Sequence, residues 1–480
     1  MSGCGRSARP KGRSPKQCKP DAKRKRDSAQ PQGSAQPLIT GGPDMEITVI
    51  GGGLAGSEAA LQIARLGRRV RLYEMRPVRS TPAHRTDRLA EIVCSNSFKS
   101  DQPYNASWLL KEELRRLGSI LIRIADSVRV PAGAALAVDR EQFAARVTET
   151  VSNEANIRLI REEALDIPSN GIVVIASGPL TSPALSDSIR RFCGFEHLYF
   201  YDAISPIVDA ETIDRSKVYR ASRYGKASGD YLNCPMERNE YKAFYEALIA
   251  AESVAIHEFE EACYFESCLP IEELARRGID TLRFGPMRPV GLNDPVTGRL
   301  PYAVVQLRQE DLMQSSYNIV GFQNHLKFTE QKRIFRMIPG LGNAEFLRLG
   351  QIHRNTYINA PQTLLPTMAT RQDGRIFFAG QLAGTEGYIE NVASGLVAGI
   401  NAVRTARGEE PMILPEETAI GALCRYVSTP QKHFAPMNIN FGLLPEIQTP
   451  ARPSKAEKQR LLCSRALELC RPESISTSTA

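Results

Sequence analysis

Nowhere in its 480 residues does this chain hold the roughly 18 uninterrupted apolar residues that cross a bilayer, which excludes a membrane-spanning helix. The N-terminal segment contains no apolar h-region, so it is not a secretory signal. No C-x-x-C pair occurs among the ten cysteines, and ten thiols in so long a chain do not make a disulfide scaffold. No metal site is expected, and a reducing, cytoplasmic setting is the default. Net charge is scarce too, once its place is seen. Of the total +8, residues 1–44 supply +7, from ten Lys/Arg against three Asp. Only about +1 is left for the remaining 436 residues. A body this close to neutral binds no nucleic acid through overall charge, so any such footprint must come from local clustering.

Residues 1–44 also hold almost no large apolar side chains. Such a segment cannot bury enough surface to offset its ordering entropy, and disorder is expected. Its KRKR cluster at residues 23–26 could touch RNA or act as a targeting patch; a solvated tail is the plainer reading. Met45 stands immediately before the first apolar strand and is the expected start of the functional chain.

What is present is organised around residues 45–74, MEITVIGGGLAGSEAALQIARLGRRVRLYE. Residues 46–50 read as a strand, residues 57–66 as a helix ended by Gly67, and residues 70–73 as a second strand. Between the first strand and the helix stands G-x-G-x-x-G. Gly51 permits the tight turn, Gly53 lets the backbone approach a pyrophosphate, and Gly56 lets helix and strand pack closely. The helix N-terminus offers free N–H groups to that pyrophosphate. Glu74 can accept from an adenosine ribose. Strand, glycines, helix, strand and acid in this order predict a dinucleotide site.

Along the rest of the chain, residues 76–100 read as a polar loop near that site. Residues 105–124 read as one helix with Leu109, Leu110, Leu114, Leu117 and Ile120 on its apolar stripe, and residues 171–179 as an apolar strand. Near Leu198 the pattern shifts to short strands, helices and Pro-rich loops. A strand at residues 375–380 then leads into a turn with Gly380, Gly384 and Gly387 and a helix at residues 391–402. The expected fold class is α/β: a discontinuous FAD-binding Rossmann domain of the glutathione-reductase type with an inserted α/β domain. A basic extension is expected over 1–44. The FAD-binding domain is expected over 45–197 and again over 367–446, with a second, inserted domain between them at 198–366 and a polar tail at 447–480. A short helix is expected around residues 456–469.

The stretches TPAHRTDRLAEIVCSNSFKS, VPAGAALAVDR, YLNCPM, FESCLPIEELARRG, RFGPMRPVGL, YAVVQLRQ, HRNTYINAP and FAGQLAGTEGYIENVASGLVAGINA together closely resemble the TrmFO family, the folate- and FAD-dependent tRNA (uracil-5-)-methyltransferases. The resemblance implies FAD held by Gly51, Gly52, Gly53, Leu54, Ala55 and Gly56, and with Glu74, Gly380 and Gly387 these make up the expected cofactor site. It implies 5,10-methylenetetrahydrofolate as carbon donor, NADH or NADPH as reductant and a T-loop uridine of tRNA as substrate, with neither membrane nor DNA as partner. The family's two functional cysteines map onto Cys94 and Cys268. Arg85 stands where relatives usually carry a second histidine, and residues 1–44 have no counterpart.

The chemistry fits these residue types. Uracil C5 is a poor nucleophile until a thiolate adds at C6. A folate-borne methylene needs two electrons to become methyl, which a flavin supplies. On this reading Cys268 is the nucleophile and Cys94 an assisting acid/base or a shielding thiol. Cys193, Cys234, Cys263 and Cys424 read as packed or inert thiols, although Cys234 could line the site. His84 and His353 could bind phosphate or the folate carboxylates, or serve structural hydrogen bonds. Lys332, Arg333, Arg336, Arg348 and Arg354 form a locally basic stretch that could meet tRNA phosphate or be a solvated face. Ribosomal RNA methylation, wobble-uridine modification and a tRNA-folding flavoprotein are the rival readings.

Overall fold

The computed structural model describes residues 45–194, 198–225, 229–254, 269–295, 297–431, 434–449 and 453–471; for 198–203, 225 and 352–354 it describes the backbone alone. Residues 1–44, expected to be a disordered extension, lie outside the described residues.

The first body is built on a five-stranded sheet. Its order is Ile376–Phe378, Val173–Ile175, Ile47–Ile50, Val70–Tyr73 and Ile157–Ile160, and every pairing is parallel. The strands ITVI, VVI and IFF are buried along their whole length, as a sheet covered on both faces requires. Two helices cross beside it, Leu54–Arg65 and Tyr388–Ala406. A Cβ on Gly395 would come within 2.2 Å of the Ala55 carbonyl oxygen, and one on Gly399 within 2.7 Å of that of Ala59. Glycine at both positions is what lets the backbones touch. The first helix begins at Leu54, ahead of the expected residue 57, because the glycine loop runs directly into it.

The single helix expected over residues 105–124 is two, Ala106–Arg116 and Ile120–Ser127. Gly118, at φ +73°, turns the chain between them. Buried Glu58 then accepts the backbone N–H groups of Ile120 and Leu121 at 3.2 and 2.9 Å, capping the second helix. The leucine stripe is buried all the same. The polar loop ends in a strand, Ser97–Ser100, of a small antiparallel sheet with Ala135–Val138 and Arg129–Val130.

The second body is a six-stranded antiparallel sheet in the order Tyr219–Ala221, Tyr231–Met236, Ala303–Gln309, Ser316–Ile319, Ile207–Asp209 and Phe346–Arg348. Strand alternation divides its faces. Leu232, Cys234, Val305 and Leu307 pack into a core with Tyr241, Phe244, Phe322 and Phe335. Tyr231, Asn233, Gln306 and Arg308 take the other side, in the register Tyr231↔Arg308 and Asn233↔Gln306. The two cores are separate in composition: the first draws on chain up to Ile189 and again from Ile358, the second on residues between Val208 and Ala344. A two-stranded ladder, Leu198–Ala203 with Ile352–Tyr357, carries the chain out and back. The C-terminal helix runs over Lys455–Leu469, and Leu462, Cys463, Ala466 and Cys470 join the first core. The expected polar tail is therefore packed along this helix. No helix among the described residues is long and apolar enough to cross a membrane.

Candidate cofactor and thiol site

The glycine loop has the strained and close-packed geometry its sequence predicts. Gly51 sits at φ +106°, and a Cβ there would lie 2.4 Å from the Ala176 carbonyl oxygen; a Cβ on Gly56 would lie 1.8 Å from that of Gly51. Gly53 is different. Its φ of −74° is ordinary, and no atom lies within 4 Å of where a Cβ would stand. That hollow faces the start of the helix Leu54–Arg65, whose N-cap Gly53 provides no side-chain cap. Its first N–H groups are free to bind an anion. Gly380, at φ +78°, approaches Ala55 so closely that a Cβ would stand 3.0 Å from the alanine's own. Gly387 heads the helix Tyr388–Ala406, also without a side-chain cap. A Cβ on it would strike Glu390 at 2.4 Å and Lys99 at 2.6 Å, and these two form an ion pair of 2.6 Å. The glycine loop, the buried Ala55 and the second glycine turn thus enclose one cradle.

Glu74 closes the cradle and is 6% exposed. One oxygen accepts the Gly52 N–H at 2.9 Å; the other accepts Arg76 N–H and Nε at 3.0 and 2.9 Å. Burial alone would raise its pKa, but Arg76 outweighs burial and holds the carboxyl below its ordinary value. An anionic Glu74 retains an acceptor site for a ribose hydroxyl. The residues present therefore fit a dinucleotide: an open hollow at Gly53, an uncapped helix end for the pyrophosphate and a fixed carboxylate for the ribose.

Cys94 is half-buried at the mouth of this cradle. Its backbone N–H and that of Ser95 both donate to the Tyr388 hydroxyl, at 3.0 and 3.1 Å. Tyr388 is the first residue of the helix that follows Gly387, so the thiol loop hangs directly from the cradle's second helix. Arg140 and Arg348 both act electrostatically on Cys94. Arg140 is anchored by Glu310, with Nε to Oε2 at 2.8 Å. Arg348 is 7% exposed; burial first, then Arg140 and Arg85, push its pKa down to about 10. Two guanidiniums thus act on the thiol loop. Beside it, buried Asn96 donates to the Val138 and Gln309 carbonyls, both at 3.0 Å, and accepts from Arg308.

Other expectations fare unevenly. Cys268 and Cys263 lie outside the described residues. Cys234 is fully buried in the second core, and burial pushes its thiol up. Burial likewise raises Cys424 to about 12 and half-buried Cys193 to about 11. His84 is pushed down to about 4, by burial first and then by Arg76, so its ring is neutral at pH 7 and brings no charge to a phosphate. Of His353 and Arg354 only the backbone is described. The basic stretch does not form one patch. Lys332 and Arg336 are exposed, Arg333 pairs with Glu330 at 2.6 Å, and Arg348 turns inward to the thiol. Sequence reasoning missed Asn96, Arg140, Arg308 and Tyr388. The one visible signal was a charged Arg308 inside the otherwise alternating strand AVVQLRQ.

The chain matches the family model of Glucose inhibited division protein A over residues 46–410. It is 56% identical over 425 residues to "Methylenetetrahydrofolate--tRNA-(uracil-5-)-methyltransferase TrmFO" of Moorella thermoacetica, covering 88% of this chain and 97% of that one. The protein of the same name from Symbiobacterium thermophilum is 58% identical over 427 residues, covering 88% and 96%. Among solved structures, Aquifex aeolicus GidA in its form I crystal aligns with a TM-score of 0.66 at 20% identity, over 91% of this chain and 77% of that one. That likeness establishes a GidA-like fold with a Rossmann-type nucleotide domain. By the family match and the extent of identity, the chain belongs to the glucose inhibited division protein A family and, within it, to TrmFO.

Proposed function

We propose that this protein forms 5-methyluridine in the T-loop of tRNA, taking the carbon from 5,10-methylenetetrahydrofolate and the electrons from NADH or NADPH by way of FAD. The observation that carries this reading is the placement of Cys94: a half-buried thiol hung from Tyr388, the residue that opens a helix of the dinucleotide cradle. Dinucleotide, thiol and nearby cations are the components this chemistry needs.

In this reading Gly51, Gly52, Gly53, Leu54, Ala55 and Gly56 hold the pyrophosphate, Glu74 holds the ribose, and Gly380 and Gly387 let the backbone approach the cofactor. Bound FAD supplies the two electrons that turn a folate-borne methylene into a methyl group. The Cys268 thiolate adds to uracil C6, and the electron pair displaced toward O4 makes C5 a nucleophile for the one-carbon unit. Loss of the C5 proton and elimination of the thiolate then restore the ring. Cys94, with Arg140 and Arg348 acting on it, takes that proton or shields the reduced carbon from water. The target uridine must leave its stack, which a structured loop makes less costly. Such a reaction belongs in the cytoplasm, with tRNA and reduced folate.

A T-arm RNA carrying 5-fluorouridine tests the nucleophile, because fluorine cannot leave as the C5 proton does. Wild-type protein should form a covalent adduct, and Cys268→Ala, with its flavin retained, should form none. Undiminished trapping by Cys268→Ala would move the role to Cys94, since Cys234 is fully buried in the second core.

A further inference from the structure

Tyr224 is one of six described non-glycine residues in the left-handed region, at φ 62° and ψ 23°. For a bulky aromatic that conformation is strained. Yet the residue is 60% exposed, so burying apolar surface is not what holds it. Gly291 holds it instead. The Tyr224 N–H donates to the Gly291 carbonyl at 3.1 Å, and a Cβ on Gly291 would stand 3.0 Å from both Cδ1 and Cε1 of the ring. Two ring atoms therefore lie over the bare backbone of Gly291, and more than half of the residue is open to solvent. Gly291 belongs to the RFGPMRPVGL stretch, which has no role in the mechanism above.

Two arginines stand close by in the chain: Arg223 directly precedes the tyrosine, and Arg288 lies three residues before Gly291. Arg223 bonds the Val290 carbonyl through Nη1 at 3.0 Å and Gln306 Oε1 through Nε at 3.2 Å. Burial lowers its pKa, and the exposed Arg288 lowers it further, so the two like charges act on each other. The neighbouring acid, Asp294, is engaged within its own loop by Thr297 at 3.0 Å. The site also leads to the thiol. Gln306 and Arg308 share one face of one strand, about 7 Å apart, and Arg308 Nη2 reaches Ser95 Oγ at 2.7 Å.

We propose that Tyr224, Arg223 and Arg288 form a landing site for one unstacked nucleotide of the RNA substrate, its base on the open face of the Tyr224 ring and its phosphate against the two guanidiniums. The assignment rests on the RNA-modifying function proposed above and adds to it the place where a nucleotide next to the target is held. A fixed aromatic face takes any base, and paired guanidiniums take a phosphate, so the contact orients the strand without reading its sequence.

The test compares Tyr224→Ala, Tyr224→Asn and Tyr224→Phe in the full-length flavoprotein, with flavin content and melting temperature as fold controls. Asparagine tolerates the left-handed backbone and keeps the loop intact if alanine does not. The affinity for unmodified tRNA, measured by filter binding without turnover, should fall about 5- to 100-fold in Ala and Asn and by less than about twofold in Phe. The KM for tRNA should rise in parallel. Arg288→Ala should reduce the slope of log affinity against log salt by about one. Wild-type affinity in a folded Tyr224→Ala or Tyr224→Asn overturns the site, as does an equal loss in Phe. Because binding is read without turnover, failure of wild type to methylate a tRNA that it binds would sink the proposed function and leave this site standing.

Discussion

Arg308 Nε donates to Asn96 Oδ1 at 2.7 Å, joining the polar face of the six-stranded sheet to the loop that carries Cys94. Its Nη2 reaches Ser95 Oγ at the same distance. Asn96 is fully buried and Arg308 is 7% exposed, so the bond between them is shielded from water, while that to Ser95 is part-buried. The planar fork of arginine serves two acceptors at once; a lysine ammonium serves them poorly.

Arg308→Lys should keep its flavin but lose about tenfold in kcat, and Arg308→Met should lose more and destabilise the fold by about 2 kcal/mol, since Asn96 is left with a buried acceptor. Steady-state methylation and denaturant unfolding check this. Activity of Arg308→Lys within twofold of wild type would show that the fork does not position the thiol loop.

Gly53 and Gly56 should respond oppositely to a single methyl group. At Gly53 the space is open and φ is −74°, so Gly53→Ala should melt within a few degrees of wild-type apoprotein yet bind flavin at least tenfold more weakly. Gly53→Val should be depleted of flavin. At Gly56 the methyl group would lie 1.8 Å from the Gly51 carbonyl oxygen, so Gly56→Ala should fail to fold stably. Flavin absorbance against thermal melts of the stripped proteins separates the two effects.

Tyr388→Phe removes the acceptor shared by the Cys94 and Ser95 N–H groups. Each buried N–H left unpaired costs about 1–3 kcal/mol. The variant should bind FAD, melt lower, and methylate at least tenfold more slowly as the thiol loop loosens. Wild-type rates would detach Cys94 from the cradle helix.

Glu113 should make stability fall with rising pH. It is fully buried, and burial raises its carboxyl to about 8 despite the N–H groups of Ala419 and Ile420 at 2.6 and 2.9 Å. A raised folded pKa means the folded chain holds the proton after the unfolded chain, with its pKa near 4.5, has lost it. The stabilisation is complete below about 4.5 and is lost as pH rises through 8, by up to about 1.4 kcal/mol per unit. Glu113→Gln, which imitates the neutral acid, should show a flatter melting profile between pH 5 and 8. Parallel profiles would place the titrating group elsewhere.

Most of the cofactor half was legible in the sequence because local rules govern it. Glycines that must turn or touch, strands apolar on both faces and the acid after the second strand all leave marks at fixed spacing. The break at Gly118 escaped notice because the leucine stripe continues across it, and Glu58, which caps the second helix, lies far away in sequence. The surroundings of Cys94 were not legible for a related reason. Asn96, Arg140, Arg308 and Tyr388 come from four separate elements and meet only in the folded chain. Arg348 illustrates the limit: within its own stretch it reads as one more surface cation, and only the fold turns it inward.

The central claim is that folate carbon reaches uracil C5 in tRNA, and isotope transfer tests it most directly. Wild-type protein with FAD and NADPH would be given unmodified tRNA and methylenetetrahydrofolate labelled in its methylene carbon. Nucleosides from the digested tRNA would then be separated and weighed by mass spectrometry. The account predicts label in 5-methyluridine at a single T-loop position, dependent on the reductant and absent when labelled S-adenosylmethionine replaces the folate. Unlabelled tRNA, with the protein folded and its flavin bound, or label arriving from the sulfonium donor, would contradict it.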